Sequence, residues 1–277
     1  MRKKKIFLSI FLNGQRGVEI LKKILMIENF DIRLVVISKK FLKQGVEDYL
    51  KKNGIKFKFY ENCDLIELKK KHKKIDLGLI AGFPFIFKKD ILKTTKYGFL
   101  NCHAGLLPYY RGGSPLNWQI INNEKKFGIS IIKANSRVDS GNIICQKKFN
   151  LKEEFDINDL HNIANLNFPK LVVRAIKKVI SGYKGIRQKE NLAKYYPQRK
   201  SKDSRIKLKD INYKNLKLLY RALKYPYPNV YFFYKKKKIH LKNLSLSSKV
   251  LGAGEIIFDK QAIHFGCLDK TLKMRLV

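Results

Sequence analysis

Short apolar runs alternate with segments of helical periodicity along the first half of the chain. The runs at 6–11, 32–37 and 77–81 have the length and composition of buried strands. The same alternation predicts helices at 18–25, 41–52 and 64–73 and a further strand at 56–60. Because strands joined through helices make right-handed crossovers, such a chain forms a parallel sheet covered on both faces. We therefore predict an α/β fold with a doubly wound, mostly parallel sheet.

The pattern changes toward the C-terminus. Strands are predicted at 99–103, 129–133 and 142–148, followed by a helix over 156–181 in which Pro169 marks a kink or break. Beyond Tyr195 come one helix, at 213–223, and short strands at 230–234, 239–246, 255–258, 262–267 and 271–276, with a hairpin turn in the lysine run 235–238. For 277 residues this order predicts two domains, 1–194 and a small β-rich, OB-like domain at 195–277.

The charge of the chain is strongly positive. Lys and Arg number 60 against 22 acidic residues, for a formal charge of +38. Such a charge favours phosphates, nucleic acid or an anionic membrane surface. The lysines, however, recur in almost every predicted element from Lys3 to Lys273, as expected for a chain encoded by an A+T-rich genome. The diffuse charge identifies no partner.

Cysteine spacing and the N-terminus indicate the compartment. The four cysteines, Cys63, Cys102, Cys145 and Cys267, are isolated and show no zinc-ligand spacing, which favours reduced thiols and no metal. The N-terminal apolar run ends at Asn13-Gly14 without a small-residue cleavage site, so we interpret it as a strand and not a signal peptide. No apolar stretch approaches the ~20 residues that span a bilayer. We predict a soluble, cytoplasmic protein without a membrane partner.

One predicted strand ends in polar residues where a core strand should be apolar. Side chains alternate along a strand, so Asn101 and His103 point to the same side, at the carboxyl end where doubly wound sheets bind ligands. An apolar Leu106-Leu107-Pro108 stretch and a glycine-containing loop over 111–115 follow. Asp139 stands in a turn that Gly141 permits. The alternatives are a buried structural histidine and an ordinary Asp-Ser-Gly turn.

These blocks occur in a characteristic order. Asn-x-His at 101–103, Leu-Leu-Pro at 106–108, Arg-Gly-x-x-Pro at 111–115 and Asp-x-Gly at 139–141 together resemble the folate-dependent formyltransferase family. That family includes methionyl-tRNA and glycinamide ribonucleotide formyltransferases, formyltetrahydrofolate hydrolases and dehydrogenases, and sugar-nucleotide N-formyltransferases. Gly14 and Gly17 do not complete a Gly-x-Gly-x-x-Gly fingerprint, so a nicotinamide cofactor is not expected.

The resemblance implies transfer of a formyl group from 10-formyltetrahydrofolate to an amine by Asn101, His103 and Asp139, without a metal. Attack on the formyl carbon develops an oxyanion and releases a proton. Asn101 would hold the oxyanion, His103 would act as general base, and Asp139 would orient His103. The implied donor-binding residues are Phe85, Ile86, Phe87, Asp139 and Gly141. The candidate acceptor-binding residues are Pro108, Tyr109, Arg111, Gly112, Gly113, Ser114 and Trp118.

The choice of acceptor rests on weaker signals. Methionyl-tRNA formyltransferases carry a basic insertion after the second strand, whereas here Ser38 runs almost directly into the predicted helix at 41–52. The Tyr/Pro blocks at 195–206 and 226–234 resemble those of the sugar-nucleotide enzymes. Trp118, near Tyr109 and Tyr110 in the sequence, could form a wall for a sugar or base ring. We therefore predict an amino-sugar nucleotide as acceptor, with surface polysaccharide synthesis as its context. Methionyl-tRNA is the alternative, followed by hydrolysis of the donor and by a nucleic-acid-binding module with a vestigial site. A homodimer is left open.

Overall fold

The largest element of the protein is a seven-stranded sheet, seen in a computed structural model that describes residues 4–43, 45–62, 70 and 74–275. The strands to residue 150 are β1 (Ile6–Leu12), β2 (Phe30–Ile37), β3 (Lys58–Phe59), β4 (Leu77–Ala81), β5 (Phe99–His103), β6 (Arg111–Gly112), β7 (Lys126–Lys133) and β8 (Ile143–Asn150). The sheet order is β3-β2-β1-β4-β5-β7-β8. Neighbours from β3 to β5 run parallel, whereas β5 and β7 are antiparallel. The predicted mostly parallel sheet is confirmed.

The helices follow the apolar periodicity of the sequence. They are α1 (Gly14–Leu25), α2 (Val46–Lys52), α3 (Lys89–Leu92), α4 (Pro115–Ile121), α5 (Ile157–Ile180) and α6 (Tyr213–Ala222). Helix α1 contacts β1, β2 and β4 and buries Ile20, Leu21 and Ile24 completely. Each such side chain contributes ~1.5–3 kcal/mol by leaving water. Helix α5 runs through Pro169, and the helix predicted at 64–73 lies outside the described residues apart from Lys70.

The segment after β2 differs from its prediction. We expected a helix from residue 41, but α2 begins at Val46, after Gly45 adopts a φ of 80°. Asn13 holds the preceding segment, since its Nδ2 donates to the Phe41 carbonyl at 2.7 Å and its Oδ1 accepts the Lys43 N–H at 3.2 Å. A left-handed residue and side-chain contacts from another strand end override the local helical pattern.

Glu61 fixes the start of the same segment. Its carboxylate accepts hydrogen bonds from the Ser38 hydroxyl and from the backbone N–H groups of Lys39 and Lys40. Burial raises the pKa of the Glu61 carboxyl, but these hydrogen bonds outweigh it and hold the pKa at about 2. The connection after β2 is therefore fixed by the charged carboxylate of Glu61.

This contact predicts a pH-dependent contribution to stability. A carboxyl whose pKa is lower in the folded state stabilises the fold above its unfolded pKa, and the contribution disappears as the pH falls through the folded pKa. The difference in unfolding free energy between wild type and Glu61→Gln should therefore be constant above about pH 5 and shrink between about pH 4.5 and 2. Urea unfolding across this range measures it, with the exposed Glu28→Gln as control. A difference that does not change with pH would contradict the contact.

The C-terminal residues are β-rich, as predicted. Their strands are β9 (Tyr195–Tyr196), β10 (Tyr231–Tyr234), β11 (Lys237–His240), β12 (Leu244–Leu246), β13 (Ile256–Phe258), β14 (Ala262–Gly266) and β15 (Thr271–Arg275). β10 and β11 form a hairpin whose turn is Lys235-Lys236, and β12-β15-β14-β13 form a four-stranded sheet. The strand predicted at 239–246 is divided, because Asn243 adopts a φ of 48° that no regular strand accommodates.

The chain divides into two compact units that interleave along the sequence. One contains Met1–Gly112, Phe127–Phe149 and Asn162–Tyr195, and the other contains Gly113–Lys126, Asn150–His161 and Tyr196–Val277. We call them the first and the second unit. The boundary between residues 194 and 195 stays a prediction. Among the described residues, no helix is both long and apolar enough to cross a bilayer.

Candidate active site

The end of β5 presents the polar residues that the sequence singled out. Asn101 and His103 pair in register with Ile132 and Ser130 of the antiparallel β7, and His103 is buried. Cys102 lies between them on the strand, so its side chain points to the opposite face. Burial raises the pKa of the Cys102 thiol to about 12, which keeps it protonated near neutral pH. The amide and the imidazole are thus the reactive groups that this strand offers.

Asp139 occupies a tight turn between β7 and β8. Its φ of 46° is left-handed, a conformation that Asp tolerates better than most residues. Gly141 is required in the same turn, because a Cβ there would collide with the carbonyl oxygen of Lys133. The backbone of this turn is therefore tightly constrained, and so is the direction of the Asp139 side chain.

The three predicted catalytic residues lie in contact with one another through Asp139. Asn101 Nδ2 donates to Asp139 Oδ1 at 3.1 Å. His103 Nδ1 lies 3.3 Å from Asp139 Oδ2, which also accepts the Gly112 N–H at 2.9 Å. The side chain of Asp139 is 10% exposed and that of His103 6%. The geometry therefore brings an amide, an imidazole and a carboxylate together with little water around them.

The partners of His103 define which ring nitrogen can exchange a proton. Nε2 contacts the carbonyl oxygen of Tyr110, which can only accept, so Nε2 carries a hydrogen. Nδ1 faces the Asp139 carboxylate at a distance longer than the ~2.7–2.9 Å usual for charged hydrogen bonds. A proton on Nδ1 turns this contact into an ion pair, and its loss leaves a lone pair beside the carboxylate. Nδ1 is thus the nitrogen that can gain or lose a proton.

A cleft of about 170 Å³ opens beside this group. Asn101 and Asp139 line it, and one wall consists of Phe83, Pro84, Phe85, Ile86 and Phe87. The wall continues into a buried aromatic cluster, in which the Phe83 and Phe87 rings pack against Phe11 at centroid distances of 5.4 and 4.7 Å. Ile86 is 67% exposed and is available to a ligand. The cleft combines an apolar surface suited to a flat ring with polar groups at one end.

The other predicted residues of the first unit have different surroundings. Tyr109 is 40% exposed, and the carbonyl of Pro108 accepts the Lys194 N–H. Gly112 contacts Asp139 through its N–H group, as described above. Arg111 is fully buried, and Glu190 raises the pKa of its guanidinium by hydrogen bonding. Since its donors are engaged inside the protein, the geometry gives no support to Arg111 as an acceptor ligand, which stays a prediction.

The remaining predicted acceptor residues belong to the second unit. Trp118 packs against the Tyr196 ring at 5.3 Å, and the Arg199 guanidinium lies 5.0 Å from the Trp118 ring centroid. Trp118 Nε1 donates to the Pro197 carbonyl, and Ser114 Oγ accepts the Arg199 N–H. Gly113 packs tightly against the Gln198 backbone. We call Trp118, Tyr196 and Arg199 the aromatic group of the second unit.

Sequence reasoning missed three residues around the trio. The Tyr110 carbonyl binds His103, and Gln188 and Glu190 bind Arg111. A carbonyl partner leaves no sequence signal, and Gln188 and Glu190 stand in a polar segment without periodicity. The only sequence feature that marks this segment is the acidic Glu190 within a basic stretch, and this is a weak indication of a site.

Neither metal nor thiol chemistry is suggested by the described residues. No group of three or more His, Cys, Asp or Glu among them could hold a metal ion. Cys102, Cys145 and Cys267 are free and buried. Asn101, His103 and Asp139 provide amide, imidazole and carboxylate groups, which are suited to proton transfer and to stabilising an oxyanion.

Comparison with known families places the chain. A family model described as formyl transferase matches residues 21–176, and one described as formyl transferase, C-terminal domain, matches residues 199–277. The mostly parallel sheet with helices between its strands is an α/β fold. The chain belongs to the formyl transferase family.

The sequence relatives and the similar solved structures are different members of the known formyltransferases and related proteins. The methionyl-tRNA formyltransferase of Thermodesulfovibrio yellowstonii is 27% identical over 73% of this chain and 65% of its own length. That of Wolbachia pipientis is 30% identical over 74% of this chain and 65% of its own. The match thus spans less than two thirds of these relatives.

Among solved structures, an N-formyltransferase from Helicobacter canadensis, in complex with folinic acid and dTDP-3-aminofucose, has a TM-score of 0.71 at 17% identity. It covers 98% of this chain and 99% of its own. HypX from Aquifex aeolicus has a TM-score of 0.70 at 16% identity and covers 98% of this chain but 44% of its own. At these identities the likeness concerns the fold.

Proposed function

We propose that this protein transfers a formyl group from 10-formyltetrahydrofolate to the amino group of a nucleotide-linked amino sugar. The observation that carries the reaction type is the contact of Asp139 with both Asn101 and His103 at the polar end of the apolar cleft. Membership in the formyl transferase family supports this reaction type. Metal chemistry is not part of the proposal.

The cleft is proposed to bind the folate. Its wall of Phe85, Ile86 and Phe87 offers flat apolar surface to a pterin ring, and Asp139 and the backbone near Gly141 offer polar groups at its end. Structural neighbours support this, since one was solved with folinic acid and another, a sugar 3N-formyl transferase, with 5-N-formyl-THF. The formyl carbon would then lie beside Asn101.

The trio is proposed to move one proton while it stabilises one oxyanion. The acceptor nitrogen forms a bond to the formyl carbon, and the carbonyl oxygen takes up negative charge. Asn101 uses one amide hydrogen for Asp139, so its second hydrogen can donate to that oxygen. Collapse then breaks the bond between the formyl carbon and the folate nitrogen.

His103 acts as the base in this scheme. The proton that the attacking amine loses reaches Nδ1 through the Asp139 carboxylate, which lines the cleft and lies 3.3 Å from Nδ1, and Asp139 stabilises the resulting imidazolium. The same proton can return through the His103 and Asp139 pair to the departing folate nitrogen, so the reaction is balanced. Tyr110 keeps Nε2 protonated throughout and thereby fixes the tautomer that this step needs.

The aromatic group of the second unit supports a nucleotide-linked acceptor. Trp118 and Tyr196 offer ring faces on which a base can stack. The Arg199 guanidinium, 5.0 Å from the Trp118 ring centroid, adds a positive charge that suits a phosphate. The Helicobacter canadensis neighbour was solved with dTDP-3-aminofucose, which is a nucleotide-linked amino sugar.

Methionyl-tRNA is the second candidate acceptor. The sequence relatives favour it, since the two described above are methionyl-tRNA formyltransferases. The formal charge of +38 also suits an RNA. Against it, the connection after β2 is held by Asn13 and Glu61 instead of carrying a longer insertion.

A direct acceptor screen tests the proposal. The purified protein is incubated with 10-formyltetrahydrofolate and either a panel of amino-sugar nucleotides or methionyl-tRNA, and products are read by the mass of one added formyl group. We expect one or more amino-sugar nucleotides to be formylated and methionyl-tRNA to remain unmodified. Formylation of methionyl-tRNA with none of the sugar nucleotides would replace the first candidate by the second.

A further inference from the structure

A buried glutamine holds the backbone of the Asp139 turn. Gln188 is 4% exposed, and its Nε2 donates to the carbonyl oxygens of Asp139 at 2.8 Å and Gly141 at 2.7 Å. These two bonds use both hydrogens of the side-chain amide. They fix the carbonyls on either side of Ser140, in a turn whose first residue has a φ of 46°. Gln188 therefore fixes the left-handed conformation from which the Asp139 carboxylate points.

The amide of Gln188 is itself oriented by Arg111. Its Oε1 accepts the Arg111 Nε–H at 3.0 Å, so the oxygen and nitrogen ends of the amide are distinguished by their partners. Rotation of the amide would bring its N–H groups toward the guanidinium and its oxygen toward two carbonyls, which is unfavourable. Arg111 thus keeps both donors of Gln188 directed at the Asp139 turn.

Arg111 is held in place by two further residues. Glu190 accepts from its Nη1 and Nη2 at 3.0 Å each, in the two-pronged geometry that a guanidinium and a carboxylate favour. The Tyr195 hydroxyl accepts from Nη1 at 2.9 Å. The hydrogen bonding between Arg111 and Glu190 also lowers the pKa of the Glu190 carboxyl, so Glu190 stays ionised near neutral pH.

The backbone next to Arg111 completes a closed arrangement. Gly112 follows Arg111 and donates its N–H to Asp139 Oδ2 at 2.9 Å. The Arg111 residue therefore acts on Asp139 by two routes, through Gln188 to the backbone of the turn and through Gly112 to the carboxylate. Neither Gln188 nor Glu190 is among the residues that line the cleft.

We propose that Gln188, fixed by Arg111 and Glu190, is a positioning residue that holds the Asp139 carboxylate against His103 and Asn101. The proposal rests on the function proposed above. Gln188 touches neither reacting group and acts through Asp139 alone. Its loss should reduce turnover more than it weakens binding of the folate donor, because the turn that it holds supplies only the polar end of the proposed folate site and the apolar wall of the cleft remains.

The test is Gln188→Glu, which keeps the size of the side chain but removes both donors. We expect kcat for formyl transfer to fall ~10-fold and KM for 10-formyltetrahydrofolate to change less than ~2-fold, as for loss of a transition-state interaction alone. The matched control is Asn117→Asp, the same amide-to-acid change at a buried residue of the second unit that donates to the Ala222 carbonyl. It should lower the thermal unfolding midpoint and keep kcat near the wild-type value.

A double-mutant cycle separates a positioning role from a structural one. In the Asp139→Asn background, Gln188→Glu should change kcat less than ~2-fold, because its target is already lost. Additive effects, or wild-type kcat in Gln188→Glu, would overturn the proposal while leaving formyl transfer intact. If Gln188→Glu does not fold, the half-exposed Glu190→Gln replaces it, with a kcat decrease of ~3-fold expected and again absent in the Asp139→Asn background. An inactive wild type would instead reject the proposed function.

Discussion

Replacing Asp139 by Asn is expected to lower kcat for formyl transfer at least ~100-fold while the protein stays folded. Asp139 accepts hydrogen bonds from Asn101 and Gly112 and faces Nδ1 of His103. An Asn side chain has one acceptor oxygen and no charge, so it cannot serve both donors and cannot stabilise an imidazolium. The shape of the turn is retained, because Asn also tolerates a left-handed backbone. Steady-state kinetics with one acceptor and the thermal unfolding midpoint together measure the effect.

We expect His103→Asn to lower kcat by the same factor, because this change removes the Nδ1 atom that gains and loses the proton. The control is Asp31→Asn, which removes a carboxylate that pairs with Arg33 at the partly exposed start of β2. Its kcat should stay within ~2-fold of wild type, as for surface changes away from a site. Near-normal kcat in both Asp139→Asn and His103→Asn would show that the trio does not carry the reaction.

The second large effect is expected from Gly105→Ala. A Cβ at this position would lie 2.5 Å from His103 Nε2 and 2.6 Å from the Tyr110 carbonyl oxygen, at the hydrogen bond that fixes the tautomer of His103. The imidazole and the carbonyl would have to separate. Because a displacement of ~1 Å can reduce turnover ~100-fold, we expect kcat to fall by about that factor. KM for the donor should change little, since Gly105 is not among the residues that line the cleft.

Gly252→Ala is the matched control for this substitution. The atoms nearest to a Cβ at Gly252 would belong to the flexible side chain of Glu255, the first of them at 3.3 Å. Its kcat should equal that of wild type, and its unfolding free energy should change by less than ~0.5 kcal/mol. A Gly105→Ala protein that is folded and fully active would contradict the role given to the Tyr110 carbonyl.

Much of the sheet could be predicted from the sequence, because local periodicity encodes it. The buried strand over Leu77–Ala81 and the polar strand end over Phe99–His103 were predicted with the bounds that the structure gives. The start of α2 was wrong by several residues, because Gly45 and the side chain of Asn13 stop the helical pattern there. A side chain from another strand end leaves no trace in the periodicity of the segment that it holds.

In the candidate site, too, some residues are marked by the sequence and others are not. Asn101, His103 and Asp139 were recognisable because each stands in a short block of distinctive residue types. Gln188 was not, since its role depends on two carbonyls in a turn far away in the sequence. Arg111 was assigned to the acceptor as part of the glycine-containing loop over 111–115, whereas its guanidinium is fully buried against Glu190. Contacts between distant segments have to be seen in the folded protein.

The positive charge of the chain does not by itself select an acceptor. Charged groups dispersed over a surface attract any polyanion and are screened by salt. The aromatic group of the second unit is a more specific feature, because Trp118, Tyr196 and Arg199 combine ring faces with a cation. We therefore base the acceptor proposal on this group and not on net charge.

The most direct measurement of the central claim is the stoichiometry of the reaction. Wild-type protein is given 10-formyltetrahydrofolate with an amino-sugar nucleotide that the screen identifies, and tetrahydrofolate and N-formyl product are both quantified. We predict equal amounts of the two, and negligible tetrahydrofolate when the acceptor is omitted. Tetrahydrofolate release at the same rate with and without the amine, and without formylated product, would contradict formyl transfer and indicate hydrolysis of the donor.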